Sequence, residues 1–279
     1  MFINQLQIEY DAFNFTSKDV VNKMYIRVLN EKNDNPLLSP NLDEDNILLM
    51  STALDNKYLL SLLQTRYSIY DISFRKLGNK KSIGFSFNDV ADYEYITPEV
   101  VFEPFKDLGI DSFVNTVNNI QGAMFHEKPQ FNPVFMIGLL ISEKALSSVK
   151  AYIRIDIKDN SLSKQRMIII DNIINKMNPE ITKNDFRAAT VALEKLGLTF
   201  NFVGVDYKPD NSKRYKLYFR NYNNILFSDV SSEFKTMLLY FGLKNELNII
   251  ESHSKEIWGI AISTNNFQDV NGIQLYLYP

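Results

Sequence analysis

Four stretches of this 279-residue chain have the alternating pattern of β-hairpins, and they constrain its fold more than any other feature. In each, β-branched and aromatic residues alternate with polar ones on both sides of a turn, which is typical of two antiparallel strands. The hairpins cover residues 66–89, 133–158, 198–220 and 256–279. Their first strands begin near residues 66, 134, 198 and 256, at intervals of 68, 64 and 58 residues, which indicates a degenerate internal repeat.

Amphipathic helices are predicted between the hairpins. The sequence places them at residues 16–25, at 110–120 with Asp111 as cap, at 184–197 with Asn184 or Asp185 as cap and Gly197 as stop, and at 231–242. Each needs an apolar partner, so we expect these helices to cover the apolar side of an antiparallel sheet. Residues 3–11 predict a weak strand, and residues 47–63 fit a helix at least as well as a strand.

The polar side of the predicted sheet is rich in cations and tyrosines. In "SSVKAYIRIDIK", residues 147–158, polar and apolar side chains alternate strictly from Ser148 onward. The polar positions of the four hairpins are Asp71, Ser73 and Arg75; Lys150, Tyr152, Arg154, Asp156 and Lys158; Arg214, Lys216, Tyr218 and Arg220, faced by Tyr207 and Asn201; and Gln274, Tyr276 and Tyr278.

Two architectures use such a face. An open two-layer α+β sheet would leave it in water, whereas a closed barrel with helices outside would make it a polar lumen. Small residues that would leave room inside a lumen favour the second: Ser82, Gly84, Ser86, Gly259, Ala261 and Ser263.

If this face is enclosed, its cations predict a polyanionic ligand. Burying Lys150, Arg154, Arg214 and Lys216 without partners would cost several kcal/mol per charge, and Asp156 could neutralise only one of them. A diphosphate suits lysine and arginine well, and tyrosine faces stabilise a neighbouring cation. Together, diphosphate and carbocation describe an ionising allylic diphosphate.

Three stretches resemble the ABBA aromatic prenyltransferases, whose barrel of α-β-β-α units surrounds a solvent-filled lumen. "FVGVDYKPDNSKRYKLYFR", residues 202–220, is similar to a hairpin of the soluble bacterial enzymes that prenylate small aromatics. "SSVKAYIRI", residues 147–155, is similar to a diphosphate-binding strand of the cyanobactin peptide prenyltransferases, and "EIWGIAIS…GIQLYLYP" resembles their later hairpins. The likeness is spread over about residues 60–279.

The resemblance implies an α+β fold, an antiparallel β-barrel of repeated α-β-β-α units with helices outside. Residues 1–279 would form one domain, with a helical part at 1–60 and hairpin–helix repeats at 61–279. The family has five strand pairs and this sequence predicts four, so the fifth unit would be incomplete.

The implied activity is transfer of a dimethylallyl or geranyl group from its diphosphate to an electron-rich acceptor. The acceptor would be a side chain of a peptide such as a cyanobactin, or a small aromatic natural product. Asp71 would orient or deprotonate the nucleophile, and whichever of Trp258 and Gly259 faces the lumen would set the length of the prenyl chain. The implied diphosphate-binding residues are Arg75, Lys150, Arg154, Arg214, Lys216 and Tyr218, and the implied cation shield is Tyr152, Tyr207, Tyr276 and Tyr278.

Composition narrows the remaining function classes. A net charge of −3 argues against nucleic acid as partner, and the absence of cysteine excludes thiolate chemistry. Without cysteine, a signal peptide or an apolar run long enough to span a membrane, the sequence predicts a cytoplasmic protein, and we expect a monomer. The acidic residues 41–46 and the isolated His126 and His253 are not metal motifs, so magnesium would arrive only with the diphosphate. The non-enzymatic alternative is an α+β binding protein whose basic face holds a phosphorylated ligand or a protein partner.

Overall fold

Nine strands form one antiparallel sheet in a computed structural model, and each strand pairs with its neighbours in sequence. The residues described are 6–7, 49, 52–53, 55–77, 80–89, 94–142, 145–155, 163–180, 185–222, 236 and 257–277. The strands are β1 (Leu6–Gln7), β2 (Tyr67–Leu77), β3 (Lys80–Asp89), β4 (Val134–Ser142), β5 (Ala145–Arg154), β6 (Leu198–Tyr207), β7 (Lys213–Asn221), β8 (Ile257–Thr264) and β9 (Gly272–Leu277).

The predicted hairpins are confirmed as β2–β3, β4–β5, β6–β7 and β8–β9, and β1 falls within the weak strand expected at residues 3–11. The antiparallel α+β class is therefore confirmed. The sheet is open over the part of the chain that is described, where no pairing joins β9 to β1. Closure into a barrel stays a prediction.

One helix precedes the first hairpin, and the others lie between hairpins, as expected. They are α1 (Lys57–Leu63), α2 (Pro98–Val101), a 3₁₀ helix (Glu103–Leu108), α3 (Asp111–Met124), α4 (Ser163–Met177) and α5 (Asp185–Lys195). Helix α5 is the one predicted at 184–197, and Gly197 follows it with a φ of 82°. Helix α3 was also predicted, but its cap is Ile110 rather than Asp111. Helix α4 was not predicted, although Ile170, Ile173 and Ile174 have helical spacing and are buried.

The N-terminal part agrees with the helical interpretation of residues 47–63. Leu49, Thr52 and Ala53 are helical, and the Asn56 side chain caps α1 by accepting from the Tyr58 amide at 3.1 Å. The helices predicted at 16–25 and 231–242 lie outside the described residues, apart from Thr236, which is helical.

Aromatic contacts show which face of the sheet the helices cover. The ring of Phe113 on α3 lies 5.3 Å from that of Tyr207 on β6, and Phe186 on α5 meets Phe267, just after β8, edge to face at 5.7 Å. Side chains alternate between the two faces along a strand. The face toward the helices therefore carries the odd-numbered residues of β5, of β7 and of the last part of β6. We call it the apolar face, and the main hydrophobic core lies between it and the helices.

The opposite face, which we call the polar face, is also buried in the middle of the sheet. Lys150 and Lys216 are only 3% and 2% exposed, and Tyr152 and Tyr218 are also buried. Water therefore does not cover the middle of this face on β5–β8, and the choice between an open sheet and a closed barrel stays a prediction. Register shifts in β6 and β8 are bulges, which bend a sheet and increase its twist.

Candidate anion-binding site

Two rows of cross-strand partners bring the predicted cations together on the polar face. One row runs from Gly138 on β4 through Lys150 and Asp206 to Arg214 on β7. The next row runs through Tyr152, Gly204, Lys216 and Ser263. Cross-strand partners point to the same side of a sheet, so the alternation of each strand places these side chains on one surface.

Asp206 is the point where three cations converge. Its Oδ1 lies 3.4 Å from Lys150 Nζ, and its Oδ2 accepts from Arg214 Nε at 3.0 Å and also from Arg214 Nη2. Lys216 Nζ lies 3.9 Å from the same Oδ2. The two lysines and the carboxylate are almost fully buried, whereas the Arg214 side chain is 40% exposed. The cluster therefore reaches solvent through Arg214.

Two opposing effects set the charge of this carboxyl. Burial favours the neutral acid, but attraction to Lys150, Lys216 and Arg214 outweighs burial and holds the pKa of Asp206 far below its ordinary value of 3.8. Asp206 is therefore ionised at neutral pH. The site consists of three cations arranged around one fixed negative charge.

Acid should weaken the fold through this carboxyl. Because the pKa of Asp206 is lower in the folded chain than in the unfolded one, its stabilisation is present above the unfolded pKa. That stabilisation is lost as the pH falls through the folded value, so we expect part of the free energy of unfolding to disappear between about pH 5 and pH 2. Urea unfolding from pH 7 to pH 2 would measure this, and the slope should be shallower in Asp206→Asn. Equal slopes in the two proteins would contradict the assignment.

Three aromatic rings adjoin the cations on the same face. Phe202 and Tyr218 stack with centroids 4.2 Å apart, and Tyr152 meets each of them at 5.9 Å. Ala261 completes this buried cluster, and Phe135 and Met136 pack at its border. We call Tyr152, Phe202 and Tyr218 the aromatic cluster. Tyr152 follows Lys150 by two residues on β5, and Tyr218 follows Lys216 by two residues on β7. A ligand held by the lysines would therefore extend over the rings.

Glycines opposite two of these rings allow the close packing. A Cβ at Gly204 would lie 2.9 Å from Tyr218 Cε2, and a Cβ at Gly138 would lie 3.2 Å from Tyr152 Cε2. The rings therefore lie against neighbouring strand backbone where a larger residue would push them away.

The structure does not place Arg154 with Lys150. Four residues of strand separate them, a distance of about 13 Å, and the aromatic cluster lies between. Arg154 Cζ instead lies 4.6 Å from the Phe131 ring centroid, and Arg220 Cζ lies 5.1 Å from that of Tyr222 at the same end of the sheet. Arg154 and Arg220 thus border the far side of the aromatic cluster.

Tyr207 is on the wrong face for the predicted cation shield. It is buried against Phe113, and its hydroxyl lies within hydrogen-bonding distance of the Gly109 carbonyl, at 3.3 Å, and of Asn211 Oδ1. A four-residue turn at 209–212 would place Tyr207 opposite Arg214, but the loop between β6 and β7 contains five residues, 208–212. One extra residue exchanges the faces, so Asp206 rather than Tyr207 points to Arg214.

Gly259 lies close to the backbone of β7. A Cβ there would lie 2.6 Å from the Phe219 carbonyl oxygen, so any side chain would collide with β7. Gly259 pairs with Arg220, and Trp258 occupies the register shift between β8 and β9. Which of Trp258 and Gly259 would set the length of the prenyl chain stays a prediction.

The other predicted residues are placed by backbone register. Asp71 pairs with Ser86, which pairs with Gly138, so Asp71 extends the row of Lys150 three strands away. Arg75 pairs with Ser82, further along β2, and Tyr276 pairs with Gly259. Asp156, Lys158 and Tyr278 lie outside the described residues.

Sequence reasoning missed Asp206 and Phe202. Asp206 lies in the segment "VDYK", where it and Tyr207 point to opposite faces of the strand. With the correct length of the loop between β6 and β7, this alternation would have placed Asp206 opposite Arg214. Phe202 follows the bulge at residue 201, where simple alternation fails.

Among the described residues, no group of three or more His, Cys, Asp or Glu side chains could hold a metal ion. No helix in the same residues is both long and apolar enough to cross a membrane.

Comparison with models of known protein families finds no match for this sequence. A search of curated proteins also finds no relative.

Proposed function

We propose that this chain is a prenyltransferase that moves a dimethylallyl or geranyl group from its diphosphate to an electron-rich acceptor. The observation that supports it is the junction of Lys150, Lys216 and Arg214 with the aromatic cluster on one buried face. An allylic diphosphate has two parts of opposite character, an anionic leaving group and an apolar chain that becomes cationic. The two halves of the site match these two parts.

The cations would act on the leaving group. As the carbon–oxygen bond breaks, negative charge grows on the diphosphate, and fixed positive charges in a water-poor site stabilise that change. Lys150 and Lys216 are suited to this because both are buried and both amino groups lie within 4 Å of one carboxylate. The more exposed Arg214 would bind the diphosphate from the solvent side.

The aromatic cluster would act on the developing allyl cation. Tyrosine and phenylalanine faces attract a cation through the ring quadrupole, by about 0.5–2 kcal/mol per contact. Tyr218, Phe202 and Tyr152 lie beyond the lysines along the strands, where the chain of a bound donor would pass. Their hydrophobic surroundings would also delay attack by water on the cation.

We extend the proposal to the fold, with the sheet closed around this face as a barrel of α-β-β-α units. Burial of side chains on both faces of β5–β8, with the described helices against only one of them, supports closure. The acceptor, a peptide side chain or a small aromatic, would meet the cation inside. Asp71, in the row of Lys150, would take up the proton released after the new bond forms.

Titration calorimetry with geranyl and dimethylallyl diphosphate, with and without magnesium, tests this proposal. We expect at least one donor to bind, and Lys150→Met to weaken it by about tenfold, since a charge-assisted contact to phosphate is lost. Arg187→Met is the matched control, because the ion pair of Arg187 with Asp171 lies at the surface, between two helices and away from the cluster.

Three results would argue against a transferase. Lack of binding by every prenyl diphosphate would contradict the donor site. Equal affinity for geranyl diphosphate and inorganic pyrophosphate would favour a binding protein for phosphorylated ligands. An equal loss of affinity in Arg187→Met and Lys150→Met would show that the ligand does not bind at the cluster.

A further inference from the structure

We propose that Asp206 is an internal anion that competes with the donor diphosphate for Lys150, Lys216 and Arg214. In this view the carboxylate stabilises the empty site at the expense of ligand affinity. The inference rests on the proposed function in one respect, that the ligand presents a diphosphate to these cations.

The geometry leaves little separation between the two anions. Both oxygens of Asp206 are engaged, Oδ1 by Lys150 and Oδ2 by Arg214 and Lys216, and all three contacts are within 4 Å. A phosphate oxygen bound to either lysine would lie about 2.8 Å from its Nζ. Ligand and carboxylate would then be near neighbours in a buried site, where like charges repel strongly.

Two roles of Asp206, competing with the ligand and only fixing the cations, predict different effects of removing its charge. If Asp206 only fixes the cations, its removal should lower both the stability of the fold and the affinity for phosphate. If it competes, removing its charge should lower stability but raise affinity, because the ligand then supplies the counter-charge. The two quantities change in opposite directions.

The test is Asp206→Asn, which keeps the shape of the side chain and removes its charge. We expect inorganic pyrophosphate to bind this variant about tenfold more tightly than the original chain in calorimetry at fixed ionic strength, while its urea midpoint falls. Asp89→Asn is the control, since Asp89 is likewise buried and paired with an arginine, Arg66, but lies on β3 away from the cluster. It should lose stability without gaining affinity.

The variant remains informative if it does not fold alone. Pyrophosphate should then restore its far-UV circular dichroism, because the ligand replaces the missing carboxylate, and the same concentrations should leave Asp89→Asn that has been unfolded in urea unchanged. A folded variant with equal or weaker affinity, or an unfolded one that pyrophosphate does not restore, would overturn the inference.

Failure of this inference is distinguishable from failure of the proposed function. If the original chain binds geranyl diphosphate and Asp206→Asn binds pyrophosphate no better, only the competition is wrong. If the original chain binds neither geranyl diphosphate nor pyrophosphate, the donor site is wrong as well, and the competition with it.

Discussion

Lys216→Met should reduce turnover of a prenyl diphosphate by about 10²–10³-fold, the usual effect of losing one buried group that stabilises developing charge. Lys216 is 2% exposed, pairs across the sheet with Gly204 and precedes Tyr218 by two residues. Its position on β7 thus lies between Arg214 and Tyr218, at the boundary between the cations and the rings, where the breaking bond of a donor would be. Methionine keeps the length of the apolar stem, so the loss should come from charge.

The effect should fall on kcat more than on KM. The diphosphate gains negative charge as it leaves, so Lys216 would bind the transition state more tightly than the bound donor. Single-turnover hydrolysis or transfer of geranyl diphosphate at saturating concentration would measure this step directly. The surface variant Arg187→Met should keep the original rate.

A different distribution of the effect would contradict the assigned role. If KM rose while kcat stayed unchanged, Lys216 would contribute only uniform binding, and ionisation would occur elsewhere. Unfolding midpoints of both variants should be measured alongside, because a buried lysine beside Asp206 also affects the fold.

The faces of the sheet could be predicted within single strands. Lys150 and Tyr152 lie two residues apart in β5, so alternation in "SSVKAYIRI" correctly places them on one side. The register of β6–β7 could not be predicted in the same way. A strand pattern does not say whether Lys208 belongs to the strand or to the loop, and that one residue decides between Asp206 and Tyr207.

The candidate site depends on distant contacts that a local pattern does not contain. Lys150 and Lys216 could be grouped because both alternate with tyrosines on long strands. The direction of Arg154 could not be predicted, since it depends on Phe131, which precedes β4 and lies beyond any local period. Burial of the polar face depends on how the sheet bends. The bulges in β6 and β8 contribute to that bend, and the sequence carries no clear signal of where they occur.

Gly259→Ala should lower the free energy of unfolding by about 1–3 kcal/mol, the range for overpacking and backbone shifts. The new Cβ would lie 2.6 Å from the Phe219 carbonyl oxygen and 3.6 Å from Arg220 Cα. Both atoms belong to the backbone of β7, so neither can move aside without disturbing the pairing that carries Tyr218 and Ala261. Urea denaturation would measure the loss.

Gly122→Ala is a control with the opposite expected sign. Gly122 lies in α3, and a Cβ there meets no atom within 4 Å, so alanine should raise stability by about 0.5–1 kcal/mol through helix propensity. If Gly259→Ala were instead neutral and changed the preference between dimethylallyl and geranyl diphosphate, Gly259 would line ligand space after all. A less stable chain with an unchanged donor preference would place the limit on prenyl length at another residue.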